Sequence, residues 1–304
     1  MNKQFRLTIF AAIFTTGFSG FATAGVTYTY NSGSSSGNAC SSTTSFNRSL
    51  NVVGLTSDQR LVCFNEGSPD QATNIGAITG LTGGDSTLIG IDYRVQNGRL
   101  YGVGNAGGIY LLDVTNASAT PVNRLSVTLS GTSFGVDFNP VADRLRIVSD
   151  AGQNLRHNVN AGGVTATDDA LDYPPGALNT VGPTALGIVG AAYTNNDLDV
   201  TTNTTLYVLD SNLDQISVQS PPNNGSLVAN GKLTVDATAF VGFDTYSTVR
   251  NGVTVDVQSL ASIKTTEGAT KLYSINVPTG KATSRGSFSS QNQVIDIAIP
   301  LNQL

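Results

Sequence analysis

Four aspartates occupy the same place in a short motif that recurs along this 304-residue chain. The motif is an apolar residue, a glycine, an apolar residue and an aspartate. Its copies supply Asp92, Asp137, Asp244 and Asp296, the last without its glycine, and a fifth copy has Ala192. Carboxylates that converge raise each other's pKa unless a cation or hydrogen-bond donors compensate them. Because oxygen ligands suit Ca²⁺ or Mg²⁺, the sequence raises the hypothesis of a divalent cation site. The competing interpretation is that each carboxylate accepts hydrogen bonds from the following turn or pairs with an arginine, for instance Arg94.

The densest polar stretch, residues 137–156, supplies the candidate ligand-binding residues. These are Asn139, Arg144, Arg146, Asp150, Gln153, Asn154 and Arg156. Arg144 and Arg146 are two positions apart on a predicted strand, so they share a face. That placement suits either a ligand that carries a carboxylate or a structural salt bridge to an aspartate.

Patterns typical of catalysis are weak in this sequence. Residues 131–135 match GxSxG, but a nucleophile elbow needs a strand before the serine and a helix after it. Here a loop precedes Ser133 and a strand follows it. The only histidine, His157, is interpreted as a surface residue on a strand, and one histidine cannot make a three-histidine zinc site. The acidic segment 195–199 lacks EF-hand spacing and is interpreted as loop chemistry. We therefore predict no catalytic residue.

The N-terminus has the layout of a secretory signal peptide. Residues 1–24 combine two cations with an apolar run and end in Ala22-Thr23-Ala24, a small-x-small cleavage site. The sequence thus predicts export to the periplasm or the cell exterior, with no transmembrane segment. In an oxidising compartment a lone cysteine pair usually becomes a disulfide, so we expect Cys40 to bond Cys63.

Charge limits the partners of the chain. It carries 16 Lys and Arg residues against 21 Asp and Glu residues, a net charge of −5. An acidic chain has no electrostatic footprint for nucleic acid, so nucleic-acid binding is not expected. We expect a monomer that meets an extracellular or envelope ligand.

The elements that must position these residues are predicted from composition and repetition. Charged residues are scarce at 12%, while β-branched residues and turn formers are plentiful, which indicates an all-β protein. The motif recurs about every 50 residues, the period of a propeller blade, and each copy opens a set of four short strands. In the fourth set we expect an insertion around residues 259–268.

The fifth set is divided between the two ends of the chain. Residues 294–299 form a first strand without successors, and residues 49–78 form second to fourth strands without a first. One blade built from both termini closes a ring and removes exposed sheet edges. We therefore predict a five-bladed β-propeller of four-stranded blades in one domain, 49–304, after a Ser/Gly-rich extension, 25–48. Six blades, or a sandwich with a small second domain, are the alternatives.

Longer segments resemble a known family. GIDYRVQNGRLYGVG (Gly90–Gly104), FGVDFNPVADRLRIVSDAGQNLR (Phe134–Arg156) and TTLYVLD (Thr204–Asp210) are similar to DUF4394, a family of uncharacterised exported bacterial proteins. The resemblance covers nearly all of the chain after Leu50 and implies a propeller-like fold and export. It brings no activity and no catalytic residues. The chain departs from the family in its cysteine-containing extension and in the fourth-set insertion.

These observations favour an exported, non-catalytic binding or scaffold module for a protein, glycan or cell-envelope ligand. The alternative is a propeller enzyme, a hydrolase or lyase, that uses a divalent cation bound by the aspartates in the central channel of the propeller. Fold alone does not decide between the two.

Overall fold

The computed structural model describes residues 40, 49–176, 182–199 and 201–304. Within these residues, twenty β-strands form five four-stranded antiparallel sheets, numbered here as blades by the order of their innermost strands. Blade 1 contains β4 (Leu88–Arg94), β5 (Arg99–Gly104), β6 (Gly108–Leu112) and β7 (Ala119–Arg124). Blade 2 contains β8 (Phe134–Asn139), β9 (Arg144–Ser149), β10 (Asn154–His157) and β11 (Thr165–Thr167). Blade 3 contains β12 (Ile188–Tyr193), β13 (Leu206–Asp210), β14 (Gln215–Gln219) and β15 (Leu227–Lys232). Blade 4 contains β16 (Ala237–Arg250), β17 (Val253–Thr265), β18 (Thr270–Ile275) and β19 (Ala282–Ser287).

Blade 5 is built from both ends of the described chain. Its innermost strand is β20 (Val294–Ala298), followed by β1 (Asn51–Thr56), β2 (Arg60–Asn65) and β3 (Ser68–Ala77). β20 pairs antiparallel with β1, with Val53 opposite Ala298 and Leu55 opposite Asp296. The prediction of a five-bladed propeller closed by both termini is therefore confirmed.

Apolar side chains fill the space between facing blades. Between blades 3 and 4, for example, Leu209 and Ile216 lie in one core cluster with Phe243 and Ile263, all of them nearly inaccessible to solvent. Because side chains alternate along each strand, both faces of a blade contribute to such a core. This explains why the central strands are apolar at almost every position.

The glycine of the recurring motif marks a close approach between neighbouring innermost strands. A Cβ atom on Gly135 would lie 2.6 Å from the backbone nitrogen of Ala191, and one on Gly242 would lie 2.5 Å from the Cα of Asp296. Only a residue without a side chain fits where one backbone passes this close to another. The repeat thus records how the innermost strands pack around the axis.

The extra length of blade 4 is a hairpin extension and not the insertion expected around residues 259–268. Residues 259–265 belong to β17, and 259–264 pair with β18, whereas the β16–β17 ladder continues outward from Tyr246 to its tip at Arg250 and Val253. This part of the strand is hard to predict from the sequence, because two of its buried positions hold serines, Ser259 and Ser262, where a strand usually has apolar residues.

Cys40 forms the expected disulfide with Cys63 of β2. The rest of the predicted signal peptide and Ser/Gly-rich extension, up to residue 48, lies outside the described residues. No helix among the described residues is long and apolar enough to cross a membrane.

Candidate functional site

The aspartates of the motif form a buried ring on the innermost strands. Their exposed fractions are 7% for Asp92, 2% for Asp137, 3% for Asp244 and 6% for Asp296. Carboxylate oxygens of Asp92, Asp137 and Asp244 lie within 4.8 Å of one another. The aspartates that share a position in the sequence motif therefore lie close together on the innermost strands.

Each ring aspartate binds a backbone N–H of the next blade. Asp92 accepts from Phe138 at 2.7 Å, Asp137 from Tyr193 at 3.1 Å, Asp244 from Ile299 at 2.6 Å and Asp296 from Ile91 at 2.7 Å. The innermost strand of a blade has a free inner edge whose N–H groups lack sheet partners. The carboxylates satisfy these donors and tie the blades together.

The gap in this ring falls between blades 3 and 4, where Ala192 has no carboxylate. A different contact joins these blades: Asn196 donates its side-chain amide to the carbonyl of Thr245 and its backbone N–H to Ser247 Oγ, each at 2.9 Å. Asp197 adds to this contact, because it accepts from the backbone N–H of Thr254 on β17 of blade 4. Within its own loop, Asp197 accepts from the backbone N–H of Asp199, which agrees with the interpretation of segment 195–199 as loop chemistry.

Burial makes the ring aspartates harder to ionise. Desolvation raises the pKa of Asp92 and Asp137 well above the usual range, and the charge of Asp244 raises both further. Desolvation also raises the pKa of Asp296, and it raises the pKa of Asp244 to about 6. The ring therefore carries fewer negative charges near neutral pH than four free carboxylates would.

Hydrogen bonding accounts for most of the ring's oxygens. Three of the four carboxylates also accept from the backbone N–H of the next residue: Tyr93 to Asp92, Thr245 to Asp244 and Ile297 to Asp296. Seven of the eight oxygens thus accept an N–H, and the second oxygen of Asp137 is the exception. The arginine pairing that the competing interpretation offered as an example, Arg94 with Asp92, does not form, because Arg94 Nε donates to Asp143 Oδ1 at 2.7 Å. The divalent cation stays a prediction.

A pocket of about 270 Å³ lies between blades 2 and 3, at the end where their innermost strands finish. Blade 2 supplies Asn139, Ala142, Arg144, Arg146 and Arg156 to its lining. Blade 3 supplies Tyr193 and the Pro221–Asn224 turn between β14 and β15. We call this the arginine pocket, since the lining holds three arginines and no acidic residue.

Strand register explains why the three arginines face the same way. Across blade 2, Asp137 is opposite Arg146, Arg146 is opposite Arg156, and Asn139 is opposite Arg144. Residues opposite each other in neighbouring strands share a face, as do residues two apart on one strand. The predicted residues 139, 144, 146 and 156 therefore project from blade 2 toward blade 3.

Arg146 is the buried centre of this arrangement, with 3% of its side chain exposed. Its guanidinium donates to Tyr193 Oη at 3.3 Å, Asn154 Oδ1 at 2.7 Å, Asp168 Oδ2 at 2.6 Å and Asn223 Oδ1 at 2.8 Å. Because Tyr193 and Asn223 belong to blade 3, Arg146 is a structural tie between the blades as well as part of the pocket wall.

The other two arginines keep donors for a ligand. Arg156, 41% exposed, bonds Asp168 through Nε alone, and Arg144 donates Nη1 to the carbonyls of Ala142 and Asp143. Within the described residues, both Nη groups of Arg156 and the Nε and Nη2 of Arg144 have no protein acceptor. These are the groups that a bound molecule could contact.

The remaining sequence candidates lie elsewhere. Asp150 is at the opposite end of β9, where it accepts from the backbone N–H of Thr132, and Gln153 bonds Ser130 and Thr128 there. Asn154 is buried behind the pocket and bonds Arg146. The sequence reasoning missed Tyr193 and the Pro221–Asn224 turn, although Pro-Pro-Asn-Asn-Gly is a visible turn signal.

His157 and Ser133 do not come together as a catalytic pair. His157 is fully buried, not at the surface as expected, and its two ring nitrogens bond Thr165 Oγ1 and Asn123 Oδ1, each at 3.0 Å. Burial, with a contribution from the charge of Arg144, lowers the pKa of His157 to about 4. Ser133 instead borders a second concavity of about 200 Å³ at the opposite end of the innermost strands, next to Phe134 and Phe240.

Comparison with known proteins gives a family. No curated protein matches the chain. Among solved structures, it is similar to an auxiliary nutrient binding protein from Bacteroides ovatus (TM-score 0.38, 15% identity, covering 59% of this chain and 46% of that one). It is also similar to the glutaminyl cyclase of Myxococcus xanthus (TM-score 0.38, 14% identity, 69% of each chain). A third similar structure is BamB from Moraxella catarrhalis (TM-score 0.32, 11% identity, covering 76% and 68%).

The chain spans less than half of the nutrient binding protein's length, and likenesses this distant carry no inference about ligand or reaction. The family match is far more extensive. The model of a domain of unknown function, DUF4394, matches residues 60–298, which is most of the propeller. This chain belongs to the DUF4394 family.

Proposed function

We propose that the protein is an exported, non-catalytic binding module and that the arginine pocket is its ligand site. One observation carries the proposal: four residues singled out by their type and spacing, Asn139, Arg144, Arg146 and Arg156, line a single concavity together with Tyr193 of the next blade. Concave sites with a few convergent polar groups are where small ligands usually bind. The Cys40–Cys63 disulfide supports the export part of the proposal.

The surroundings of the pocket favour binding over chemistry. Two blades of a closed ring form its walls, and Arg146 fixes one wall to the other through Tyr193 and Asn223. A site held this firmly before the ligand arrives loses little free energy to ordering on binding. Its lining contains no carboxylate, histidine or cysteine that could serve as a nucleophile or general base.

The test is a thermal-shift screen of a metabolite and oligosaccharide library against three proteins. They are the wild type, the Arg144→Gln/Arg156→Gln double variant and a Lys271→Gln control, which removes a positive charge at the start of β18 in blade 4. A ligand at 100 times its Kd stabilises the native state by about 2.7 kcal/mol. Compounds that shift the melting of the wild type and of the control but not of the double variant support the pocket. Equal shifts in all three proteins would place the ligand site elsewhere.

A cation-dependent enzyme is the second candidate, favoured by the three carboxylates within 4.8 Å of one another at the ring. Ca²⁺ takes 6–8 oxygen ligands, so waters would have to complete its shell there. Melting in Ca²⁺, Mg²⁺ or EDTA tests this candidate. Identical curves in all three buffers would remove it.

A further inference from the structure

We infer that the ligand of the arginine pocket is a small organic anion that carries two negative charges, as two carboxylates or as a phosphate monoester. The inference rests on the proposed binding function of the same pocket. It follows from the balance of charge at the pocket wall, from the kind of hydrogen-bonding groups left unused there, and from the shape of the remaining lining.

Charge at the pocket is uncompensated. The salt bridges of its three arginines lead to a single carboxylate, because Asp168 bonds both Arg146 and Arg156. Among the described residues, Arg144 forms no salt bridge, and the neighbouring Asp143 is bound to Arg94. The three pocket arginines and Arg94 thus share two carboxylates, Asp143 and Asp168, which leaves an excess of two positive charges in a protein whose net charge is −5.

The unused hydrogen-bonding groups at the pocket are mostly donors. They include the Nη groups of Arg156, Nε and Nη2 of Arg144, and the hydroxyl hydrogen of Tyr193, whose oxygen already accepts from Arg146. Among the acceptors of the lining, Asn223 Oδ1 is engaged by Arg146 and Asn139 Oδ1 by the backbone N–H groups of Val141 and Ala142, whereas the amide of Asn224 offers one acceptor beside its donors. A ligand must therefore bring acceptors, and guanidinium groups bind carboxylate and phosphate oxygens most strongly.

The remaining lining points to an organic ligand and not to a bare inorganic ion. Ala142, Pro221 and Pro222 form an apolar part of the wall that no oxyanion would use. The pocket, at about 270 Å³, also has room for more than one charged group. Arg144 and Arg156 lie on neighbouring strands in diagonal positions about 7 to 8 Å apart at Cα, so one ligand can reach both guanidinium groups.

Isothermal titration calorimetry at constant ionic strength tests the inference. The probes are succinate and citrate as polycarboxylates, glucose 6-phosphate as a phosphate ester, inorganic phosphate as the bare ion, and glucose and putrescine as neutral and cationic controls. We expect at least one organic dianion to bind, with affinity at least tenfold weaker in Arg144→Gln and in Arg156→Gln and unchanged in Lys271→Gln. The succinate and phosphate-ester arms distinguish the two kinds of anion.

The outcomes separate this inference from the proposed function. Binding of a neutral or cationic compound that is lost in the double variant, without binding of any anion, would overturn the inference and leave the function standing. Inorganic phosphate that binds as tightly as every organic anion would indicate an adventitious ion only and would also overturn it. An organic dianion that binds equally to the wild type and to both arginine variants would overturn inference and function together. Near-ultraviolet circular dichroism of each variant checks that its fold is intact.

Discussion

Replacing Asp244 by asparagine should make the stability of the propeller less dependent on pH. Asp244 is fully buried in the ring, where its two oxygens accept the backbone N–H groups of Thr245 and Ile299. Burial raises its pKa from 3.8 to about 6. Asparagine keeps the shape of the side chain but cannot ionise, so it removes this titration from the folded protein.

The sign and the size of the effect follow from linkage. A group whose pKa is higher in the folded state stabilises that state fully below its unfolded pKa, and this contribution is lost as pH rises through the folded pKa. For a rise from 3.8 to about 6 the loss is about 3 kcal/mol in full, and about 2 kcal/mol of it falls between pH 4.5 and 7.5. The charge of Asp244 also raises the pKa of Asp92 and Asp137, so the variant should gain further in the same direction.

The assay is urea unfolding at several pH values between 4.5 and 7.5, at fixed ionic strength and with EDTA. The measured quantity is the free energy of unfolding of the variant minus that of the wild type. His157, whose pKa is lowered to about 4, has the opposite effect, because its contribution to stability is lost as pH falls from about 6.5. Both proteins contain His157, so its contribution cancels in the difference. We expect that difference to rise by about 2 kcal/mol from pH 4.5 to 7.5.

Asp256→Asn is the matched control, since Asp256 is exposed on the hairpin extension of blade 4. Its curve should run parallel to that of the wild type. If Asp244→Asn also runs parallel, the ring carboxylate ionises as freely as an exposed one, and the burial argument is refuted. Repeating the wild-type series with Ca²⁺ in place of EDTA tests the cation hypothesis, because a bound cation would restore stability above pH 6.

Three further changes test the ties between blades. Arg146→Met should lower the free energy of unfolding by about 3 to 5 kcal/mol, because it leaves the buried side chains of Asn154 and Asn223 without their donor and Asp168 with Arg156 alone; urea unfolding measures this. Gly135→Ala should cost about 1 to 3 kcal/mol or more, since the new Cβ meets the backbone of the next innermost strand; thermal melting checks it. The Cys40→Ala/Cys63→Ala variant should lose about 3 kcal/mol, from a cross-link that spans 23 residues; urea unfolding with and without reductant compares the two proteins.

Two of these changes have a control in the same chain. Arg144→Gln should alter stability by less than about 0.5 kcal/mol, because its guanidinium lies at the pocket mouth without a salt bridge among the described residues. An equal loss for Arg144 and Arg146 would contradict the division between a ligand-facing and a structural arginine. Gly67→Ala, in the turn before β3, meets only the Asn65 side chain at 3.3 Å and should cost little. Unchanged unfolding of the disulfide variant would show that the segment before β1 adds nothing to stability.

The sequence was most informative where one physical demand recurs in most of the blades. The close approach at Gly135 and Gly242 admits only glycine, and the N–H groups of each free inner edge favour an acceptor at the aspartate position. Each requirement places a glycine or an aspartate at the same position of the motif. The repeat, and the closure of the ring by both termini, could therefore be predicted from the sequence. The inner part of β17, residues 259–265, could not, because it carries buried serines where a strand pattern would show apolar residues.

The pocket was only half visible for a geometric reason. Its blade 2 side follows from alternation along one strand and register with the next, which are local properties of residues 139–156. Its blade 3 side depends on which turn comes to lie beside Arg146 after the blades have closed into a ring. Asn223 is 77 residues away from Arg146 in the chain, and nothing in the spacing of either residue predicts that contact.

Tyr193 connects the ring of aspartates to the arginine pocket. Its backbone N–H donates to Asp137, and its hydroxyl oxygen accepts from Arg146 at the pocket wall. The hydrogen bonds that close the propeller around its axis therefore also hold one wall of the pocket in position. The proposed binding site would therefore be formed before its ligand arrives, and its affinity would depend on the few groups left free, those of Arg144 and Arg156, and not on rearrangement of the blades.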